Sequence, residues 1–131
     1  LTRQFRVPTY VNGNADGMLI EACAGLLEEN NPEDCIRKET EEETGYSISN
    51  VERILEAYMS PGSVTEVLYF FLGAYEERMK TSDGGGAEDE SENIEVLELD
   101  FDTCLQMIDK GEIKDAKTIM LIYHARLRGI M

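Results

Sequence analysis

The sequence predicts a single α/β domain in which strands surround one acidic helix and two further helices end the chain. Five segments are rich in Ile, Val, Leu, Tyr and Phe and are bounded by Asn, Gly or Pro, as strands are: 1–7, 18–23, 47–59, 64–75 and 94–99. A length of 131 residues with 42% hydrophobic side chains is enough for one core.

The central helix is predicted over 32–44 by its end signals. Asn31 is a good N-cap, Pro32 suits the first helical position, and acids follow in the first turn. Gly45 is the residue type that ends helices. The order of these signals fixes both helix ends.

The two final helices are predicted near 101–110 and over 116–128. The second carries a stripe of apolar residues that we expect to face the core: Ile119, Leu121, Ile122 and Leu127. His124 lies in the same helix and is the only histidine, so His-based metal clusters and a Ser-His-Asp apparatus are excluded as predictions.

Charge and cysteine content narrow the range of functions that the chain can have. With 27 acids and 12 bases the net charge is −15, which argues against a nucleic-acid partner. An anionic substrate would need metal ions as mediators. Cys23, Cys35 and Cys104 form no CxxC pair, so neither a zinc cluster nor a disulfide framework is expected, and a reducing cytoplasm fits best. No apolar run is long enough to cross a membrane.

The first residues, LTRQFRVPTY, read as an extended segment without signal-peptide character. We expect one domain over 1–131 that lacks upstream strands. Such an upstream element would contribute to a substrate site or a dimer interface.

Four carboxylates crowd the last turns of the central helix: Glu39, Glu41, Glu42 and Glu43. They oppose the helix dipole, and the like-charged i,i+4 pair costs about 0.2–0.5 kcal/mol in an isolated helix. Either the acids form a solvated face, or they hold a hard cation such as Mg²⁺. At 100° per residue three of them, Glu39, Glu42 and Glu43, share one face within about 100°.

Residues 80–93, KTSDGGGAEDESEN, contain three consecutive glycines followed by four acids. Composition alone is typical of a solvated surface linker. A loop that closes over a substrate and adds a metal ligand or a base would have the same composition.

The stretch AGLLEENNPEDCIRKETEEETGY, residues 24–46, resembles the Nudix box. KETEEETGY supplies Glu39, Glu42, Glu43 and Gly45 at the family positions. Lys38 replaces the usual Arg, the preceding loop is one residue short, and Asn31 stands where an outer Glu is usual. The resemblance implies the Nudix fold, a mixed β-sheet sandwiched between helices.

Further stretches, including RQFRVPTY, LIEACAGLL, YMSPGSVTE and IEVLEL, resemble the Nudix branch that cleaves nucleoside diphosphate sugars. Pro61, sixteen residues after Gly45, matches the proline of that branch. The resemblance implies Mg²⁺-dependent hydrolysis of a pyrophosphate, with Mn²⁺ as a substitute. GDP-mannose is the first expected substrate and ADP-ribose the second, and the branch implies a homodimer.

The resemblance also implies roles for individual residues. Expected metal ligands are the Ala24 carbonyl, Glu39, Glu42, Glu43 and Glu92. Glu90 is the expected base that activates water, with Glu88 and Asp89 as alternates, and Glu43 contributes to catalysis. Expected substrate contacts are Arg6, Arg3, Leu26 and Glu66, and Lys117 is a further phosphate candidate.

Two other functions remain open on the sequence. A Nudix-like domain without catalysis that binds a nucleotide sugar as a regulator would tolerate the departures at Asn31 and Lys38. An acidic protein-interaction domain would bind its partner without metal. The retained Glu39, Glu42 and Glu43 favour the enzyme.

Overall fold

A computed structural model describes residues 1–27, 31–87 and 93–130. Its strands are β1 (Thr2–Phe5), β2 (Met18–Glu21), β3 (Glu52–Tyr58), β4 (Val67–Leu72) and β5 (Glu95–Val96). Its helices are α1 (Val7–Val11), α2 (Pro32–Thr44), α3 (Phe101–Asp109) and α4 (Ala116–Leu127), with a 3₁₀ turn at Glu77–Met79. The α/β class is confirmed.

The strands form two antiparallel sets in the described parts of the chain. β1 lies between β2 and β5, with Thr2 opposite both Glu21 and Val96. β3 and β4 form a hairpin with Tyr58 opposite Val67 and a register shift between Arg53 and Leu55. All strand pairs in the described ranges are antiparallel. Short connections join β1 to β2 and β3 to β4 and favour that direction, whereas β1 and β5 pair across most of the chain length.

The core lies where α3 and α4 meet the β2-β1-β5 sheet. Cys104 of α3, Ile113 of the connecting turn and Ile122 of α4 are its buried centre. Ile20 of β2 and the partly buried Ile119 of α4 pack against them. Ile119 and Ile122 of the predicted apolar stripe thus face the core, whereas Leu127 is 88% exposed and its prediction is wrong. The packing holds α4 beside the end of β2.

Helix α2 begins and ends where its end signals predict. The Asn31 side chain accepts a hydrogen bond from the Asp34 amide at 2.9 Å, and Gly45 has a left-handed φ of +79°. Glu43 and Thr44 are buried near its C-terminal end. The carboxylate-bearing end of this helix therefore points into the domain.

The strands are shorter than predicted, and β2 ends at Glu21 while β5 spans only Glu95–Val96. Residues 7–11 form α1, because the strand ends at Phe5, Arg6 is the N-cap residue and Pro8 lies in the first turn of a helix too short to show periodicity. β3 begins at Glu52, so 47–51 is irregular, and it pairs only where β4 lies opposite. β4 ends at Leu72, so 73–75 is not strand.

Asp115→Ala is expected to destabilise the fold by about 2–4 kcal/mol, since it removes an N-cap and leaves buried donors without an acceptor. Asp115 is 8% exposed; its carboxylate accepts from the Thr118 amide at 2.9 Å and the Thr118 hydroxyl at 2.7 Å. Urea unfolding measures the loss.

Asp100→Ala is the matched control. Asp100 caps α3 through the Thr103 amide at 2.9 Å in the same way, but it is exposed. Asp100→Ala should lower the free energy of unfolding distinctly less than Asp115→Ala does. Equal losses for the two variants would show that the burial of Asp115 contributes nothing.

None of the helices in the described ranges combines the length and apolar character needed to cross a bilayer.

Candidate active site

The predicted carboxylate face of α2 meets the loop that follows β2. Glu43 is only 3% exposed. A Cβ atom built on Gly25 would overlap the carboxyl group of Glu39, so this carboxyl lies directly against the backbone beside Ala24. Two of the predicted ligands are thus brought to the loop that carries the third, the Ala24 carbonyl.

The other two glutamates have different surroundings. Glu42 is partly exposed and pairs with Lys38 one turn earlier at 3.4 Å. Glu41 is exposed, and its carboxylate accepts hydrogen bonds from the hydroxyls of Ser47 at 3.1 Å and Thr81 at 3.2 Å. Glu41 therefore contacts the chain segments at Ser47 and Thr81.

Cys23 contacts the buried end of this face. Burial raises the pKa of the Cys23 thiol to about 12, and the negative charge of Glu43 and a hydrogen bond to that carboxylate add to the effect. The thiol is therefore a neutral donor to Glu43 at physiological pH. A donor of this kind favours the ionised form of a carboxylate, which is the form that binds a metal.

These residues fit a hard divalent cation. Carboxylate and carbonyl oxygens are the donors that Mg²⁺ prefers, and Mg²⁺ commonly keeps several waters. In residues 1–27, 31–87 and 93–130, no three His, Cys, Asp or Glu side chains lie close enough to hold an ion by themselves. An ion on Glu39 and Glu43 would thus need the Ala24 carbonyl and water to complete its shell.

A network of four charged side chains lies next to this loop, at the end of β2. Arg6 Nε donates to Glu21 Oε2 at 2.7 Å, and Lys117 Nζ lies 3.7 Å from Glu21 Oε1. Lys117 also donates to Asp115 at 2.6 Å. Two cations are therefore held by two buried carboxylates, and the network is neutral within a chain of charge −15.

The same network ties the C-terminal helix to the loop. The Ala22 amide donates to the Thr118 hydroxyl at 2.7 Å, and that hydroxyl donates to Asp115. Arg6 and Lys117, two predicted phosphate contacts far apart in sequence, are brought onto one carboxylate, Glu21. Sequence reasoning missed Glu21 and Asp115, although Asp115 begins a helix at a capping position.

Arg3 is placed differently from Arg6. It forms exposed ion pairs with Asp16 at 3.1 Å and Glu95 at 3.2 Å, across the β2-β1-β5 sheet. These contacts account for Arg3 without a substrate, and they make it the weaker of the two arginine candidates.

A cavity of about 390 Å³ opens beside the Ala24–Leu26 loop. Its walls are mainly apolar and include Phe70 and Leu121, while Glu66 and Lys117 supply charge. Leu26, 81% exposed, also lines it. The predicted substrate contacts Leu26 and Glu66 therefore line one cavity, which the backbone at Ala24 also borders.

Several predicted residues lie outside the described part of the chain. These are the expected base Glu90, the expected ligand Glu92, and the alternates Glu88 and Asp89. Asn31, which replaces the outer Glu of the box, caps α2 with its side chain.

Comparison with known proteins identifies the family of the chain. The profile of the NUDIX domain matches residues 1–121. The chain belongs to the NUDIX domain family, as the box residues predicted.

The chain is also similar to individual named proteins over nearly all of its length. The chain is 60% identical over 129 residues to the GDP-mannose pyrophosphatase of Pectobacterium atrosepticum, covering 98% of this chain and 66% of the relative. It is 55% identical over 131 residues to that of Cronobacter sakazakii, covering 100% and 68%. The Klebsiella pneumoniae protein of the same name is 54% identical, with 100% and 65% covered. The chain thus spans about two thirds of the length of these relatives.

Proposed function

We propose that this chain is the catalytic domain of a divalent-cation-dependent pyrophosphatase that cleaves nucleoside diphosphate sugars, with GDP-mannose as the leading substrate. The observation that carries the proposal is the 60% identity to a GDP-mannose pyrophosphatase across 98% of the chain. The site supports it, because carboxylates, paired cations and an apolar cavity surround one loop.

Mg²⁺, with Mn²⁺ as a substitute, is the proposed cofactor. Glu39, Glu43 and the Ala24 carbonyl would hold it, with Glu42 as a further ligand or a neighbour. When bound, the ion polarises the phosphoryl oxygens and lowers the pKa of a coordinated water. Lys38 pairs with Glu42 at 3.4 Å, and its single ammonium cannot reproduce the bidentate fork of an Arg.

Arg6 and Lys117 are the proposed contacts to the diphosphate. Glu21 binds Arg6 through Nε alone, and a guanidinium has four further N–H donors. The buried carboxylates fix both cations, so that little side-chain entropy is lost when an anion arrives. Arg3 is retained as a weaker proposal.

The cavity is the proposed site for the base or the sugar. Its apolar walls suit the face of a ring, and Glu66 can accept hydrogen bonds from hydroxyl or amino groups. Leu26 would cover one side of the bound group.

Glu90 remains our proposal for the base, and Glu92 for an additional metal ligand. Both follow from the resemblance alone. A homodimer and a cytoplasmic location are likewise proposals, the first from the branch and the second from the cysteine pattern.

GDP-mannose and ADP-ribose should be tested in parallel, each with Mg²⁺ and with EDTA. The freed nucleoside monophosphates are separated by anion-exchange chromatography and quantified, so that detection does not depend on a metal. We expect Mg²⁺-dependent cleavage with higher kcat/KM for GDP-mannose. Higher kcat/KM for ADP-ribose would reverse the substrate order, and binding of either sugar nucleotide without cleavage would favour the regulator.

A further inference from the structure

The three consecutive glycines, Gly84–Gly86, lie against the C-terminal end of α2. The last carbonyls of a helix have no partner within the helix and need an outside donor. Gly85 donates its amide to the Glu43 carbonyl at 2.9 Å, and Gly86 donates to the Glu42 carbonyl at 3.1 Å. A segment forty residues away in sequence thus closes the helix end.

The approach of the two backbones requires glycine on both sides. A Cβ atom on Gly84 would overlap the Glu43 carbonyl oxygen and lie 2.6 Å from the Thr44 carbonyl carbon. A Cβ atom on Gly45 would lie 2.7 Å from the Ser82 carbonyl carbon. Neither backbone can move back without breaking the hydrogen bonds between them.

Gly85 also joins this helix end to the strand that follows. Its carbonyl accepts the Ile94 amide at 3.2 Å, while its own amide is bound to Glu43. One glycine therefore connects the backbone of a predicted metal ligand to the start of the β5 region.

The Gly85 and Gly86 amides bind the end of α2 at which negative charge accumulates. Glu39, Glu42 and Glu43 add negative charge to an end that already carries the negative pole of the dipole. Two N–H groups pointing at the final carbonyls offset part of that field. This offers a physical reason why the helix tolerates its carboxylates.

We propose that Gly84–Gly86 is a positioning element of the metal site, a backbone clamp that holds Glu43 and Glu42 in place for the cation. The inference rests on the proposed metal-dependent function. It departs from the linker interpretation of the glycine-rich loop, because these glycines serve close approach and amide donation. Weaker cation binding, beyond any loss of stability, is the signature of this role.

The test compares Gly84→Ala with Gly129→Ala. Both glycines have a left-handed φ, +68° and +65°, but a Cβ atom on Gly129 meets nothing within 4 Å. The two variants therefore share the backbone strain and differ in the contact with α2. Mg²⁺ and Mn²⁺ dissociation constants are measured by calorimetry without substrate, beside thermal unfolding midpoints.

We expect Gly84→Ala to weaken cation binding at least tenfold and Gly129→Ala to change it less than twofold. A lower unfolding midpoint for Gly84→Ala with an unchanged dissociation constant would overturn the proposal. If Gly84→Ala does not fold, Gly85→Ala decides by the same criterion. A Cβ atom there meets only the Ile94 carbonyl oxygen at 3.8 Å, and the strain at a φ of +106° falls on the residue whose amide binds the Glu43 carbonyl.

The test of the clamp can be interpreted independently of whether the proposed pyrophosphatase activity is found. Wild-type chain that binds Mg²⁺ but cleaves neither sugar nucleotide would refute the pyrophosphatase and leave the clamp to be judged on cation binding. Wild-type chain that binds neither cation would overturn both.

Discussion

Glu43→Gln is expected to lower kcat/KM for the leading substrate by about 100- to 1000-fold, the order seen when one preorganised charge-stabilising group is lost. Glu43 is buried against the loop of Ala24, and an amide there keeps the volume and the contact with Cys23 but removes the charge. Steady-state kinetics across a Mg²⁺ titration measure the effect. The apparent Mg²⁺ constant should rise as well.

Glu41→Gln is the matched control for this prediction. It removes the same charge from the same helix end, and the amide oxygen can still accept from Ser47 or Thr81. Its kcat/KM should change less than threefold. Equal losses in the two variants would mean that total helix charge, rather than a specific ligand, governs the rate.

Arg6→Ala is expected to lower kcat/KM by about 10- to 100-fold, because a charge-assisted hydrogen bond contributes about 1.5–3 kcal/mol. Most of the change should be in KM, since Arg6 is proposed to bind the diphosphate in ground and transition states alike. Arg6→Lys keeps the ion pair with Glu21 but not the planar fork, so an intermediate loss is expected.

Arg78→Ala controls for the change in net charge, because Arg78 is exposed and pairs with Glu76. Arg3→Ala separates the two arginine candidates. A loss at Arg3 as large as at Arg6 would place both on the diphosphate, and no loss at Arg6 would remove it from the site.

Local signals predicted the parts of the fold that depend on neighbouring residues. Asn31, Pro32 and Gly45 gave both ends of α2 because a cap involves atoms within one turn. The five-residue α1 was missed, since a run of that length carries no helical period. The ends of β3 and β4 depend on where each strand finds its partner, which composition does not encode.

In the candidate site, too, features set by neighbouring residues could be predicted and features set by tertiary contacts could not. Helical spacing predicted that Glu39, Glu42 and Glu43 share a face, because the fixed turn of 100° per residue sets the angle between side chains of one helix. The contact of Glu21 with both Arg6 and Lys117 joins β1, β2 and α4, and no local pattern contains it. The partner of the triple glycine was equally hidden, for it lies forty residues earlier in the chain.

The two hydrogen bonds of Gly85 have a consequence for engineering. Because the Gly85 amide binds the Glu43 carbonyl and the Gly85 carbonyl binds the Ile94 amide, positions 85 and 94 are held together beside the end of α2. An exchange of residues 87–93 with those of a homologue would leave both hydrogen bonds in place, and the acids at positions 90 and 92 would have to be kept in the exchange. Position 85 is therefore a suitable boundary for chimeras.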